Sequence, residues 1–119
     1  MKRSSTKTQG DHLRHQGVRV SAGPWTVFAE RNQDKRGILI VALGKKAGPA
    51  VARSRIRRIA RDIFKKAEAT QGMVLDLLLL ARSDVSSRPR RHVRTELSVL
   101  MARVPGALAR REARPKSHA

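Results

Sequence analysis

The stretch from Gly44 to Phe64, GKKAGPAVARSRIRRIARDIF, carries two superposed patterns. Ile56, Ile59, Ala60, Ile63, Phe64 and Ala67 recur at intervals of three and four, the period of a helix with one buried face. Interleaved with them stand five arginines, Arg53, Arg55, Arg57, Arg58 and Arg61, with no acid before Asp62. At about 100° per residue Arg55, Arg57, Arg58 and Arg61, with Lys65 and Lys66, fall on an arc opposite the apolar stripe. A fold that accommodates this segment must offer an apolar layer for the stripe and leave the cationic arc facing water.

The arc is costly to the helix that carries it. Like charges four apart, as at Arg57 and Arg61 or Arg61 and Lys65, destabilise a helix by roughly 0.2–0.5 kcal/mol per pair. Arg53 and Arg55 stand near the positive end of the helix dipole, where a cation is unfavourable by roughly 0.3–1 kcal/mol. Selection for folding alone would place acids there. Phosphates bound at the helix N-terminus and along the arc account for the arrangement. A solvated basic face without a ligand would interleave acids, and this one does not. Arginine is used to the exclusion of lysine from Arg53 to Arg61. Its planar fork holds phosphate bidentately and stacks on bases, which points to RNA or DNA rather than to a membrane surface.

The whole chain agrees. Its 119 residues fit one domain with short tails, and a net charge of +18 calls for a polyanionic partner. A hydrophobic fraction of 39% is too high for a disordered basic tail. The absence of cysteine excludes disulfides and thiolate metal sites. The apolar run at 73–81 is too short to span a bilayer, and the basic N-terminus lacks the apolar segment of a secretory signal. A cytoplasmic protein without a membrane partner is expected.

Hydropathy patterning then orders the elements. Residues 1–10 read as a flexible basic arm, with a short helix over 11–16. Alternation over 18–22 and 25–30, separated by Gly23-Pro24, predicts a hairpin. It sets Trp25, Val27 and Ala29 on one face and Thr26, Phe28 and Glu30 on the other. The branched run 38–43 predicts a central strand, and residues 50–69 a helix stopped near Gly72. Residues 73–81 predict another central strand, although periodicity alone also allows a helix there. Asp84, Ser86 and Ser87 are candidate caps for a helix over 90–103 that buries Val93, Leu97, Leu100, Met101 and Val104. Pro105-Gly106 closes it, leaving 106–119 as a basic tail. The domain proper is 11–105, of α+β class.

Other constellations are weaker. His12 and His15 are three apart but lack a third metal ligand. Gly44-Lys45-Lys46 lacks the spacing and the hydroxyl residue of a nucleotide-binding phosphate loop. Asp76, inside an apolar strand, is expected as an ion-pair partner of the basic helix or at a strand edge. Trp25 is expected in the core, with base stacking as the alternative. No grouping of acids or of Ser, His and Asp supports hydrolysis by protein side chains.

The segment from Lys45 to Arg61, KKAGPAVARSRIRRIAR, closely resembles the signature of the bacterial ribonuclease P protein subunit, and the element order from Gly17 to Val104 is similar to that family's. The resemblance implies a two-layer sandwich in the order αβββαβα with a left-handed βαβ crossover, like the second domain of ribosomal protein S5. It implies a protein subunit of a tRNA-processing endonuclease whose catalysis is carried by an RNA subunit with bound Mg²⁺, with no catalytic protein residue and no obligate protein partner. Lys45, Lys46, Arg53, Ser54, Arg55, Arg57, Arg58, Arg61 and Lys65 would contact the catalytic RNA. A cleft would hold the 5′ leader of precursor tRNA, with Trp25, Val27 and Phe28 as its candidate lining. This chain has Ser54 where the family has Asn, Gly44 where it has Ser, and Ile40 where Gly is common. Its first helix, with Gly10, His12, Leu13 and Arg14, has no aromatic residue. A basic ribosomal RNA-binding protein without processing activity is the alternative reading, and a membrane-active cationic protein a third.

Overall fold

Val18 and Val20 alternate with polar residues, as do Trp25, Val27 and Ala29, and the two runs pair as a hairpin. In the computed structural model, which describes residues 6–32 and 37–113, β1 (Val18–Ala22) and β2 (Trp25–Arg31) are antiparallel. Val18 stands opposite Ala29, Ala22 opposite Trp25, and Gly23 turns the chain at φ 58°. β3 (Leu39–Ala42) and β4 (Leu75–Ala81) complete a sheet of order β1-β2-β4-β3. β4 is antiparallel to β2 and parallel to β3, with Leu39 beside Leu77. A parallel neighbour requires a crossover, and α2 (Ala50–Gln71) supplies it. α1 (Thr6–Gln16) precedes the hairpin and α3 (Arg90–Ala113) follows β4.

The two-residue period of the strands divides the sheet into two unlike faces. Val18, Val20, Trp25, Val27, Ala29, Leu75, Leu77 and Leu79 form a buried face under α2 and α3. The stripe of α2 is buried as expected at Ala52, Ile56, Ile59, Ala60 and Ile63. α3 packs against both α2 and β1, so it lies between α2 and the β1 edge. On the opposite face α1 crosses β2 and β4 and buries Leu13 and Leu78. Phe28, Ile40, Ala42 and Leu80 on that face stay half-buried.

Trp25 takes the core position that its alternation indicates. Its ring is fully buried and Nε1 donates to Glu96 Oε1 at 2.8 Å, with Arg88 paired to the same carboxylate. Asp76 is not an ion-pair partner of the basic helix. Its Oδ1 accepts from Asn32 Nδ2 at 2.7 Å and from the backbone N–H of Ile38 at 3.0 Å. It faces away from α2 and secures the entry to β3. The carboxylate that joins α2 to α3 is Asp62, which accepts from Arg94 at 2.8 Å and pairs with Lys66. These donors, Arg94 first, hold its pKa below the usual carboxylate value.

Helical structure extends beyond its expected limits at both ends. α1 starts at Thr6, so residues 6–10 of the anticipated arm are helical; residues 1–5 lie outside the described residues. α2 runs to Gln71, and Gly72, at φ 66°, caps it by donating to Glu68 O. α3 does not close at Pro105-Gly106 but continues to Ala113, so 106–113 belongs to the domain rather than to a tail. The rest of that tail, 114–119, is not among the described residues. Proline removes the N–H that would bond the carbonyl of Met101, four residues earlier. Gln71 replaces it: Nε2 donates to Met101 O at 3.0 Å. Leu108, buried at 3% exposure, then anchors the extension, and burying a leucine is worth roughly 1.5–3 kcal/mol.

Gln71→Ala should therefore cost about 1 kcal/mol in urea unfolding. In a Pro105→Ala background, where the backbone N–H returns, the same change should cost almost nothing. Equal costs in both backgrounds would show that Gln71 does not substitute for the missing donor.

Candidate nucleic-acid interface

The buried stripe fixes which way every other side chain of α2 points. Ser54, Arg58, Arg61 and Lys65 are exposed and Arg57 half-exposed, forming one outward row. Lys45 and Lys46 are exposed on a 3-10 turn, Lys45–Ala47, just before the helix. Among the described residues none of these six cations is paired with a carboxylate. Pro49 occupies the N-cap of α2 without a side-chain cap, and the first turn contains no acid. The first N–H groups of this helix thus lack a side-chain cap, and two lysines precede them, an arrangement suited to phosphate.

Arg53 and Arg55 are half-buried and act within the protein. Arg53 Nε donates to Gly48 O at 3.1 Å, and Arg55 Nη2 donates to Ser86 O at 3.2 Å. Arg55 Nε is buried with no hydrogen-bond partner among the described residues. The two arginines lean to opposite flanks of the helix and fasten the loops before α2 and before α3. Those loops also meet directly: Val85 N donates to Ala47 O at 3.0 Å. Gly48 has φ 135°, a conformation other residues rarely adopt. A Cβ there would lie 2.7 Å from Ser86 Cβ, so only glycine lets the loops close.

The segment 84–86 completes this junction. Asp84 Oδ1 accepts from both the hydroxyl and the N–H of Ser86, at 2.6 and 2.8 Å. These two bonds, the hydroxyl first, hold its pKa below the usual carboxylate value. Expected as caps of α3, Asp84 and Ser86 instead shape the turn that receives Arg55. Only the Asp-x-Ser spacing hinted at a turn; its contact with Gly48 depends on long-range packing.

The candidate leader lining separates across the sheet. Trp25 and Val27 are buried beneath α3 and have no surface to offer a ligand. Their alternation with Phe28 puts them on the opposite face from it. Phe28 alone lies on the half-open face, beside Ile40, Ala42 and Leu80. On α1, His12 Nε2 lies 2.7 Å from Glu30 Oε1, while His15 Nδ1 lies 2.8 Å from the Asp11 carbonyl oxygen. Among the described residues no three His, Cys, Asp or Glu side chains converge as metal ligands.

This geometry has relatives. The family model described as ribonuclease P matches residues 3–105. The ribonuclease P protein component of Desulforapulum autotrophicum is 36% identical over 64 residues, 54% of this chain and 55% of that protein. The chain thus spans about half the length of the curated relative it matches. The fold is similar to that of the Staphylococcus aureus RNase P protein, with TM-score 0.71, 21% identity, and coverage of 87% of this chain and 97% of that one. It is similar to the Thermotoga maritima RNase P protein as well, with TM-score 0.72, 19% identity, and coverage of 87% and 98%.

The split between inward and outward arginines is measurable without any ligand. Arg55→Ala should lower unfolding stability by roughly 1–2 kcal/mol, because a charged donor to a loop carbonyl is lost. Arg58→Ala and Arg61→Ala should be neutral or slightly stabilising, by up to about 0.5 kcal/mol, as like-charge repulsion is relieved. Comparable losses at all three positions in urea titrations would contradict this division.

Proposed function

The chain belongs to the ribonuclease P protein family, and on that premise we propose that it is the protein subunit of a ribonuclease P. In this reading it binds a catalytic RNA subunit and assists endonucleolytic removal of the 5′ leader from precursor tRNA. The observation that carries the reading is the unpaired cationic row on a helix whose other face is locked into the core. Placement matters: the docked helix fixes the backbone positions of the row, so phosphate binding has only the freedom of the side chains left to remove.

Lys45, Lys46, Arg57, Arg58, Arg61 and Lys65 would neutralise phosphates of the RNA subunit, with Ser54 offering a hydroxyl at the centre of the row. Arg53 and Arg55 would serve first by holding the two flanking loops in register, with guanidinium N–H groups beyond those bonds left for RNA. The half-open face around Phe28, Ile40, Ala42 and Leu80 suits unstacked bases of a single-stranded leader, since an aromatic ring and flat aliphatic surface accept any base.

Among the described residues, carboxylates and histidines do not assemble a metal site. In this reading the RNA subunit would hold the Mg²⁺ that cleavage requires, and the protein's part would be binding and positioning. No described helix is long and apolar enough to cross a membrane.

A variant carrying Arg57→Ala, Arg58→Ala and Arg61→Ala should fold normally and bind the cognate RNA subunit more weakly. The slope of log affinity against log salt should flatten by roughly 2–3. With that RNA at low Mg²⁺, the variant should also stimulate precursor tRNA cleavage less than the parent. An unchanged salt slope would refute the row as the RNA contact. A flattened slope with no effect on cleavage would leave RNA binding without a processing role.

A further inference from the structure

The continuation of α3 past Pro105 creates a surface that the arginine helix does not explain. Arg103, Gly106, Ala107 and Arg110 recur at intervals of three, four and seven, so they form one stripe of the helix. That stripe runs beside the edge strand β1. Between them lie two depressions of about 410 and 500 Å³ that share Arg19, Ala107 and Arg110. They make one groove, with small residues on its floor and arginines along its walls. Gly106, Ala107 and Arg110 lie beyond residue 105, where the family match ends.

The charge of this groove is unbalanced. Among the described residues Arg19, Arg103 and Arg110 are in no salt bridge, and Arg111 only shares the field of Glu112 with Arg31. Glu112, the nearby acid, is already taken by Arg31. Arg103 reaches across to the Ser21 carbonyl at 3.4 Å, which ties the helix to the edge strand. The groove lies on the flank of α3 opposite α2, so its arginines cannot belong to the row on α2. Arg19 is also the register partner of Phe28, which places the groove at the margin of the half-open sheet face.

We propose that this groove between β1 and the C-terminal turns of α3 is a second RNA-backbone site, taking the phosphates of a strand that passes the far flank of the helical layer. It rests on the reading of the protein as an RNA-binding subunit. Unpaired arginines spaced along a groove with a glycine–alanine floor admit a phosphate chain closely. They would repel a cationic peptide and gain nothing from a neutral one.

The chain has no cysteine, so a single tethered probe is unambiguous. Gln16→Cys, lining the groove, and Ser54→Cys, in the α2 row, would each carry an iron–EDTA group. Each would be bound to the cognate ribonuclease P RNA transcript, with and without precursor tRNA. The expected result is hydroxyl-radical cleavage from both probes, at separate positions in the RNA. Cleavage from Ser54→Cys alone would overturn the groove and leave the subunit reading intact. Cleavage from neither would overturn both. In parallel, Arg19→Ala with Arg110→Ala should reduce the salt slope by about 1.4–1.8, the share of two phosphate contacts. That loss should add to the loss from the α2 row. An unchanged slope in a variant with parental thermal unfolding would overturn the groove site.

Discussion

Everything in this molecule depends on burying the apolar stripe of α2. Ile56, Ile59 and Ile63 are withdrawn from water between the sheet and α3. At roughly 1.5–3 kcal/mol for each fully buried aliphatic side chain, the three stabilise the docked helix by roughly 5–9 kcal/mol. Opposing terms are smaller. Each like-charge pair costs roughly 0.2–0.5 kcal/mol, and cations at the helix N-terminus roughly 0.3–1 kcal/mol. Burial wins by a margin wide enough to carry a cationic row that is unfavourable wherever no anion is present. The row is tolerated because the stripe beneath it is continuous.

The same packing explains why one residue type performs two tasks within a few positions. Arg53, Ser54 and Arg55 are consecutive, so their side chains leave the helix about 100° apart. With the stripe buried, the outer two lean to the flanks, where they find carbonyls of the loops before α2 and before α3. The middle residue is left facing outward, and it is the small hydroxyl of Ser54. Arg57, Arg58 and Arg61 come later on the helix, beyond reach of those loops, and remain available. An arginine here binds inside or outside according to which loop carbonyl it can reach, not according to its chemistry.

The range of the forces involved decides how much of the molecule is legible in the sequence. The stripe of α2, the hairpin alternation and the apolar run 73–81 are local patterns, and each produces the expected element, the strand of the last beginning at Leu75. Trp25 in the core comes from the same alternation. Grouping Trp25 and Val27 with Phe28 as one surface contradicts that two-residue period, and the sheet separates them. The end of α3 departs from its expected place for a different reason. Proline is a local stop signal, but the orphaned Met101 carbonyl is satisfied by Gln71, thirty residues away on another helix. Asp76 likewise answers to Asn32 and Ile38 N–H, a match made by strand pairing rather than by charge.

The proline bypass has consequences larger than a shifted boundary. A helix ending at residue 103 would leave the outer edge of β1 bare and Arg110 without a fixed place. The bypass lays two further turns of α3 along that edge, with Leu108 buried beneath and Arg103 and Arg110 above. An exposed edge strand invites pairing with another chain. Here a helix lined with like charges stands over it, discouraging a second sheet while concentrating positive potential along the groove. One side-chain amide on α2 thereby connects the two cationic flanks. Gln71 ends the helix that carries the first row and sustains the helix that carries the second, in addition to the Asp62–Arg94 pair and the apolar packing between them.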